Sequence, residues 1–322
     1  MMILYLYLIS EGFQLMSSAV AAVETQTSRV LRFDEEKFHQ NFNRNWFPLE
    51  HNLGGHPLFD LERLIALAVQ TAKDRPHHLH FDRGATEFGQ RWNETPACDL
   101  PVDEVIRRIE TQGAWIVLKH AERDPDYKEI IERTMREVLE LTGREMEKKV
   151  KEAEVILFIT SPNRLTTYHI DRECNFVAQI HGKKTIYIHD RTDREVLPED
   201  EIERFWSVDN NAAKYKPELN DRADSFLLAP GNGIHLPVNA PHWLQNHDNI
   251  SVTASLNFKF RDSVLGNVYR ANYVIRKLGI KPLPPGKSAS RDNIKRVMAG
   301  STMAVLNATP NWMIDGVKRV FK

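Results

Sequence analysis

Between residues 155 and 260 the sequence contains a series of short, apolar, β-branched segments. They are VILFIT, NFVAQI, KTIYIHD, SFLLAP, GIHLP and SVTASLNFKF, and Gly, Pro, Asn or Asp punctuates the series. Short strands separated by turn residues are typical of a β-sandwich or barrel. Within the series, QIHGKKTI is expected to form a hairpin with Gly182 in its turn. The sequence therefore predicts a β core in this half of the chain.

Helical periodicity flanks the β region on both sides. Before it, apolar residues at helical spacing predict helices over residues 60–73, 101–112 and 124–141, and the charged run 144–154 is interpreted as a solvated helical face. After it, helical patterns cover residues 264–278 and continue to residue 322 beyond a Pro-rich break at 282–286. We therefore expect a mainly β core with α flanks, namely a helical N-terminal layer and a C-terminal helical cap.

The expected organisation has four parts. Residues 1–29 form a frayed or disordered extension, 30–110 a mostly helical region, 111–265 the β core, and 266–322 the helical cap. The run MMILYLYLI at residues 1–9 is far shorter than the ~20 apolar residues that cross a bilayer, and no basic residue precedes it. We therefore expect neither a signal peptide nor a membrane association, and Met16 is an alternative start of the chain.

Composition narrows the class of protein. The 43 basic residues nearly balance the 44 acidic ones, and the net charge of −1 argues against direct nucleic-acid binding by bulk electrostatics. Cys98 and Cys174 are the two cysteines, so no disulfide framework is expected and a reducing compartment, the cytoplasm, is predicted.

The strongest chemical signal is the sequence Tyr168-His169-Ile170-Asp171. Residues i and i+2 of a strand point to the same face, so His169 and Asp171 could bind one metal ion inside a barrel. With a third ligand they would complete a two-His, one-carboxylate triad, which leaves coordination positions open and is typical of non-haem Fe(II) oxygenases. A lone H-x-D is weak evidence. His80-Phe81-Asp82 is a second one, and nothing downstream of it matches a cofactor site.

The context of the first H-x-D is more specific. The sequence continues as HIDRECNFVAQIHGKK and later as GNGIHLPVNAPHW. Over residues 110–265 the chain resembles the JmjC and cupin-like Fe(II)/2-oxoglutarate dioxygenases, especially the asparaginyl hydroxylase of the hypoxia-inducible factor. That family's N-F-x-A-Q-I-x-G-x-K block is reproduced up to Lys184 without a gap, and Gly231, Pro237 and His242 match its second block, with Asn232 where aspartate is common. The resemblance implies a double-stranded β-helix, or jelly roll.

The resemblance also implies roles for seven residues. The iron ligands would be His169, Asp171 and His242, the distal carboxylate of 2-oxoglutarate would bind Lys184 and Thr166, and the cofactor pocket would be lined by Asn175 and Asn257. A dicarboxylate in a barrel needs a cation at its far end, and a lysine is costly to bury without such an anion. The alternative for Lys184 is a lysine at the end of a hairpin that reaches solvent.

Several residues have two interpretations. His235 could line the pocket or be a packed core histidine, and we favour His242 as the ligand because the Pro237-x4-His242 spacing fits a turn that directs the last ligand inward. Trp243 could be a wall beside the metal or a core residue. The long loop 190–223 could act as a substrate gate, or it could be a solvated helix-loop insertion at the surface.

The predicted function is an Fe(II)- and 2-oxoglutarate-dependent dioxygenase that uses O2. It would hydroxylate or demethylate an unknown protein side chain or small molecule, with succinate and CO2 as co-products. The alternative is a non-catalytic, cupin-like metal-binding or transcriptional-regulatory module. The C-terminal helices could form a homodimer interface or could cover a sheet edge.

Overall fold

The computed structural model describes residues 29–84, 86–91, 94, 98–261 and 265–308. The N-terminal extension predicted over residues 1–29 lies outside these residues except for Arg29, as does the helical pattern predicted beyond residue 308. Among the described residues, no helix is both long and apolar enough to cross a membrane.

The described residues form twelve strands and nine α-helices. The strands are β1 (Leu31–Arg32), β2 (Phe47–His51), β3 (Leu79–Asp82), β4 (Trp115–Leu118), β5 (Val150–Thr160), β6 (Leu165–His169), β7 (Cys174–His181), β8 (Lys184–Ile188), β9 (Asp224–Leu228), β10 (Asn232–Leu236), β11 (His242–Asn246) and β12 (Ser251–Phe260). The helices are α1 (Glu35–Asn41), α2 (Leu61–Asp74), α3 (Val102–Arg107), α4 (Ile109–Gln112), α5 (Pro125–Thr142), α6 (Arg144–Glu147), α7 (Glu199–Ser207), α8 (Gly266–Lys277) and α9 (Ala289–Ala308).

The strands form two antiparallel sheets. The large sheet has the order β1-β2-β10-β7-β12-β5-β4-β3, and the small sheet has the order β6-β11-β8-β9. Apolar side chains of both sheets, such as Val177 and Ile234 from the large sheet and Ile186 and Ile188 from the small one, pack in one cluster between them. Two facing antiparallel sheets with helical flanks are the predicted jelly-roll architecture, so the predicted fold class is confirmed.

The helical N-terminal layer packs on the outer face of the large sheet. Helix α2 buries Leu64, Ile65 and Ala68, which recur at helical spacing, in the same cluster as Ile116 and Leu157 of the sheet. Helix α5 begins where Asp124 accepts a hydrogen bond from the Asp126 N–H, and it ends at Gly143. The layer also contributes β1, β2 and β3, which extend the large sheet at both edges and were not predicted. The four-part domain division stays a prediction.

The expected hairpin around Gly182 is wrong. Strands β7 and β8, on either side of this turn, belong to different sheets, so the turn crosses from one sheet to the other. Gly182 has φ +72°, and a Cβ atom there would lie 2.0 Å from the Ile250 carbonyl oxygen. The Lys183 N–H donates to Asn249 Oδ1 at 2.9 Å. The turn between β7 and β8 is therefore held by contacts with Asn249 and Ile250 of the same chain, and the two strands do not pair with each other.

The helical interpretation of residues 144–154 is wrong beyond Glu147. Strand β5 begins at Val150 and pairs with β12 along its length, with Glu154 opposite Asn257. The buried Glu154 carboxylate is compensated by the Lys259 ammonium at 3.0 Å and by His120 Nε2 at 3.3 Å. Because these partners come from other segments, the charged run adopts a strand that its local pattern does not indicate.

The C-terminal helices cover the insertion at 190–223. Its helix α7 packs against α8, and Glu203 accepts two hydrogen bonds from the Arg276 guanidinium, at 2.6 and 2.9 Å. Helix α9 packs on α8 in turn. The insertion is therefore held between the jelly roll and the C-terminal cap.

Candidate metal centre and its cavity

Two imidazoles and one carboxylate converge where β6 and β11 meet. His169 is the last residue of β6, His242 is the first of β11, and the two residues are paired in the antiparallel ladder. Their ring centroids are 4.2 Å apart. Asp171 Oδ1 lies 3.9 Å from His169 Nε2, and Asp171 Oδ2 lies 3.8 Å from His242 Nε2. One possible ligand atom from each of the three residues lies within 4.8 Å of those of the other two. This spacing can accommodate one metal ion.

The polar atoms around the three side chains orient them as ligands. His169 Nδ1 lies 2.7 Å from the Thr167 carbonyl oxygen and His242 Nδ1 lies 2.9 Å from that of Ala240. A carbonyl oxygen only accepts, so each Nδ1–H donates to the backbone, and Nε2 is the ring nitrogen left for a metal ion. The Asn175 amide donates to Asp171 Oδ2 at 2.8 Å. Burial lowers the pKa of His242 to about 4, which favours the neutral imidazole that a metal requires. The donor set of two nitrogens and one carboxylate suits Fe(II) with open coordination positions.

The three residues line a cavity of about 450 Å³ between the two sheets. Lys184 lines the same cavity from the start of β8, opposite Asn246 in β11, whereas Ile188 of β8 lies opposite His242. At ~3.4 Å per strand residue, the Lys184 backbone is roughly 14 Å along the sheet from the metal end. The cavity thus has a triad at one end and a lysine toward the other.

Lys184 is buried without a counter-charge. It is 3% exposed, and burial lowers its pKa to about 7. Among the residues that the structure describes, no carboxylate forms an ion pair with its ammonium. The alternative in which Lys184 reaches solvent is therefore wrong. A carboxylate from a ligand would supply the partner that this ammonium lacks in the fold.

The remaining predicted residues lie in the same cavity. Thr166, Asn175 and Asn257 all line it, and Asn175 and Asn257 are paired between β7 and β12. The Asn175 side-chain carbonyl, Oδ1, is buried and has no hydrogen-bond partner in the described part of the chain. The structure therefore brings all seven predicted site residues to one cavity. Their individual roles as iron ligands and 2-oxoglutarate contacts stay predictions.

His235 is a packed core histidine. It is fully buried, its ring lies within 5.4 Å of the Phe42, Phe47 and Phe176 rings, and its Nε2 accepts a hydrogen bond from the Asn43 N–H at 2.9 Å. Burial lowers its pKa to about 3, so the ring stays neutral. This environment explains why the second histidine of the segment does not join the triad.

Trp243 does not line the cavity. It follows His242 on β11, so its side chain points to the opposite face of the small sheet, where it stacks on Tyr187 with ring centroids 3.8 Å apart. Phe88 packs edge-on against the same indole at 4.8 Å. The interpretation of Trp243 as a wall beside the metal is wrong, and its role is packing.

The insertion at 190–223 contributes to the cavity next to the triad. Phe205 and Asn210 are among the lining residues. Arg172, which follows the ligand Asp171, lies over the Phe205 ring at 4.9 Å and donates to Asn210 Oδ1 at 2.9 Å. The insertion is therefore attached to the segment that carries the candidate ligand, and this contact was not apparent from the sequence.

The second H-x-D pair has a structural role. Asp82 is 1% exposed, and its carboxylate pairs with Arg164 at 2.6 Å. Among the described residues this pair belongs to no three-ligand group, whereas His120, Glu152 and Glu154 do form a second such group. Sequence reasoning missed that group because its members come from separate segments. Lys259 already lies 3.0 Å from Glu154, so an ion-pair network explains the group.

Solved structures with a similar fold include several of one bacterial protein. The chain resembles the X-ray structure of E. coli YcfD with a TM-score of 0.50 and 13% identity, over 85% of this chain and 67% of that chain. A structure of Escherichia coli ribosomal oxygenase YcfD matches with a TM-score of 0.47 and 12% identity, over 85% and 67% of the two chains. The structure of YcfD with cobalt and succinic acid matches with a TM-score of 0.46 and 13% identity, over 89% and 70%.

No protein-family model matches the sequence, and no curated protein matches it. The likeness to the first YcfD structure shows a shared fold, and this agrees with the JmjC/cupin-like resemblance of the sequence. The narrower likeness to the asparaginyl hydroxylase stays a resemblance of motifs.

Proposed function

We propose that this chain is an Fe(II)- and 2-oxoglutarate-dependent oxygenase that hydroxylates or demethylates a protein side chain or a small molecule. The observation that carries the proposal is the placement, in a single cavity, of two imidazoles, one carboxylate and one buried ammonium without an ion-pair partner among the described residues. The fold is similar to that of E. coli YcfD, which is named a ribosomal oxygenase in a second structure. This similarity supports an oxygenase reaction.

Each residue has a defined task in this proposal. His169, Asp171 and His242 would bind Fe(II), and Asn175 would hold the Asp171 carboxylate in its orientation. Lys184 and Thr166 would bind the distal carboxylate of 2-oxoglutarate and fix its direction in the cavity. Bound iron with 2-oxoglutarate would activate O2 for attack on a C–H bond, with succinate and CO2 as co-products. On an N-methyl group the same hydroxylation leads to demethylation.

The fold surrounds this chemistry with apolar side chains. Ile186, Leu236 and Leu244 line the cavity together with the polar residues. They limit the access of water to the metal end, which strengthens electrostatic interactions there and protects reactive species. The open positions of the triad and the shaped cavity are the features that a regulatory module without turnover would not need.

Location and partners are part of the proposal. The nearly balanced charge supports a substrate other than a nucleic acid or a membrane, and two cysteines without a disulfide framework support a cytoplasmic location. A homodimer through the C-terminal helices is supported by exposed apolar residues on α9, where Val297 is 82% and Ile294 is 59% exposed. Light scattering should then give twice the chain mass, and Val297→Glu should yield monomers; a monomeric wild-type protein would contradict the dimer.

Succinate formation tests the proposed activity. The purified protein is loaded anaerobically with Fe(II) and 2-oxoglutarate and then exposed to O2. Because the substrate is unknown, succinate is measured both without added substrate and with a peptide and metabolite library. Asp171→Ala should abolish succinate formation, and Lys184→Ala should reduce it at least tenfold at low 2-oxoglutarate concentration, because about 1.4 kcal/mol of binding corresponds to a factor of ten.

Matched variants control for folding. Lys183→Ala removes a neighbouring exposed lysine, and Asp248→Ala removes an exposed aspartate whose partner is Asn163. Both should retain the wild-type rate. Equal succinate formation in the wild type, Asp171→Ala and Lys184→Ala would refute the oxygenase. Metal binding without any 2-oxoglutarate binding would instead favour the non-catalytic module.

A further inference from the structure

Two of the candidate metal ligands are carried by loops that are joined by a hydrogen bond. Asp171 lies in the connection between β6 and β7, and His242 begins β11 directly after the turn 237–241. Within that turn, the Asn239 N–H donates to the Asp171 carbonyl oxygen at 2.9 Å. Loops are more mobile than the strands they connect, so the groups that hold Asn239 also set how Asp171 and His242 lie relative to each other.

Asn239 has a backbone conformation that needs support from its surroundings. Its φ is +62°, in the left-handed region, which costs energy for a residue with a Cβ atom although asparagine adopts it more readily than most. The residue is 4% exposed, and its side-chain Oδ1 accepts a hydrogen bond from the Trp206 indole Nε1 at 3.0 Å. Trp206 is therefore a direct partner of the turn that leads to His242.

Trp206 packs against both loops. It lies on α7, in the insertion, and is 5% exposed. Its apolar cluster includes Ile170, Val238 and Tyr269. Ile170 lies between two of the candidate ligands in the sequence, and Val238 lies in the turn 237–241. The indole therefore contacts the ligand loops through one apolar cluster and one hydrogen bond.

The position of the indole is set by residues on either side of it. The Arg172 guanidinium, which follows Asp171 in the sequence, lies 5.5 Å from the centre of the Trp206 ring. From α8, Arg270 Nε donates to the Trp206 carbonyl oxygen at 3.1 Å. A Cβ atom at Gly266 of α8 would lie 2.6 Å from two carbon atoms of the indole, so glycine leaves the space that the ring occupies. The C-terminal cap thus helps to hold Trp206 in place.

We propose that Trp206 is a positioning residue of the metal centre. Through its hydrogen bond to Asn239 it holds the loop that carries His242 against the loop that carries Asp171. The insertion and the C-terminal cap thereby influence the affinity and the geometry of the site without contacting the metal ion. The inference rests on the proposed function only in that the triad binds a metal.

Co(II) binding to the full-length, metal-free protein tests the proposal. Affinity is measured by competition with a chelator, and the visible absorption bands of bound Co(II) report the coordination geometry. Residues that orient metal ligands typically change metal affinity 10–100-fold when they are substituted, and Trp206 acts through one further residue. Trp206→Phe keeps an aromatic ring and removes the indole N–H, so it should weaken Co(II) binding about fivefold to tenfold and shift the absorption bands.

A second substitution removes the other half of the hydrogen bond. Asn239→Gly keeps the left-handed backbone and the N–H that donates to Asp171, but it loses the acceptor for Trp206. It should weaken Co(II) binding to a similar extent. Because both substitutions remove the same hydrogen bond, the double variant should bind Co(II) about as tightly as the weaker single variant.

Two further variants separate positioning from general packing. Trp243→Phe is the matched control, because its indole also donates to an asparagine, Asn220 Oδ1 at 3.3 Å, yet has no link to the turn 237–241 through that bond. It should bind Co(II) as the wild type does. Gly266→Ala places a methyl group against the Trp206 ring and should weaken Co(II) binding in the same direction as Trp206→Phe.

Hydrogen exchange of the metal-free protein gives a readout that needs no metal. The amides of residues 238–240 should exchange faster in Trp206→Phe than in the wild type, since the turn loses a partner of Asn239. Unchanged exchange there would contradict the support that Trp206 gives to the turn.

The outcomes separate this inference from the proposed function. Wild-type Co(II) affinity and absorption bands in Trp206→Phe, an equal loss of affinity in Trp243→Phe, or additive losses in the double variant would overturn the positioning role and leave the metal centre intact. A wild type that binds no Co(II) would overturn the metal centre and this inference with it. Absence of succinate, with the Co(II) results as expected, would count against the oxygenase alone.

Discussion

Lys184→Met should stabilise the ligand-free protein. Burial lowers the pKa of the Lys184 ammonium from its usual 10.5 to about 7, and no carboxylate of the described residues pairs with it. One pKa unit corresponds to about 1.36 kcal/mol, so this lowering opposes folding by about 4–5 kcal/mol while the lysine is charged in the unfolded chain. Methionine keeps most of the apolar stem and removes the charge. We expect the free energy of unfolding to rise by about 2–4 kcal/mol at pH 6.5.

The buried Lys184 ammonium should make the free energy of unfolding of the wild type depend on pH. The folded-state pKa lies below the unfolded-state pKa, so between pH 7 and pH 10.5 the unfolded chain binds a proton that the folded chain has lost. Below pH 7 the buried Lys184 ammonium therefore lowers the free energy of unfolding of the wild type by its full amount. As the pH rises from 7 to 10.5 this destabilisation is lost, so the free energy of unfolding of the wild type increases. The advantage of Lys184→Met should shrink from pH 6.5 to pH 9, where the penalty is about half as large.

Urea unfolding of the metal-free protein at the two pH values measures this difference. Lys183→Met is the control, since Lys183 is exposed and its substitution should change stability by less than about 0.5 kcal/mol. A Lys184→Met variant that is less stable than the wild type, or a gain that does not change between pH 6.5 and pH 9, would refute the buried, uncompensated ammonium.

Two further predictions concern the ligand shell and the turn between the sheets. Asn175→Ala removes the amide that donates to Asp171 Oδ2, so the affinity for Fe(II), measured by anaerobic competition with a chelator, should fall about 10–100-fold; an unchanged affinity would contradict this role. Gly182→Ala places a Cβ atom 2.0 Å from the Ile250 carbonyl oxygen, whereas Gly55→Ala has a similar φ of +71° and no atom within 4 Å. Unfolding experiments should show a loss of about 1 kcal/mol for Gly55→Ala and a clearly larger loss for Gly182→Ala, and equal losses would contradict the close approach.

The sequence predicted the features that depend on local spacing. His169 and Asp171 are two residues apart at the end of a strand, and this alone predicts that they share one face. Repeated short apolar segments predicted a β-sandwich or barrel, and the family resemblance implied the jelly roll. The residues that the family resemblance implied, including Lys184 and His242, come from separate strands, and the structure places them in one cavity.

Features that depend on distant partners could not be predicted. The charged start of β5 is a strand that buries Glu154 beside Lys259, at 3.0 Å, and beside His120, at 3.3 Å, and neither residue is near Glu154 in sequence. The strand β3 at the sheet edge contains a second H-x-D, yet the partner of Asp82 is Arg164, 82 residues away. Local patterns carry no information about such pairs, so the pairing of Asp82 with Arg164 became visible only in three dimensions.

The most direct test of the central claim is an anaerobic calorimetric titration of 2-oxoglutarate into the protein with and without Fe(II). The claim requires one ligand to contact the metal at the triad and the ammonium of Lys184. We predict one 2-oxoglutarate per chain in the Fe(II)-loaded wild type, and binding weaker by about tenfold to hundredfold without iron or in Lys184→Met. Binding that depends on neither the metal nor Lys184, or no binding to the iron-loaded wild type, would contradict the account.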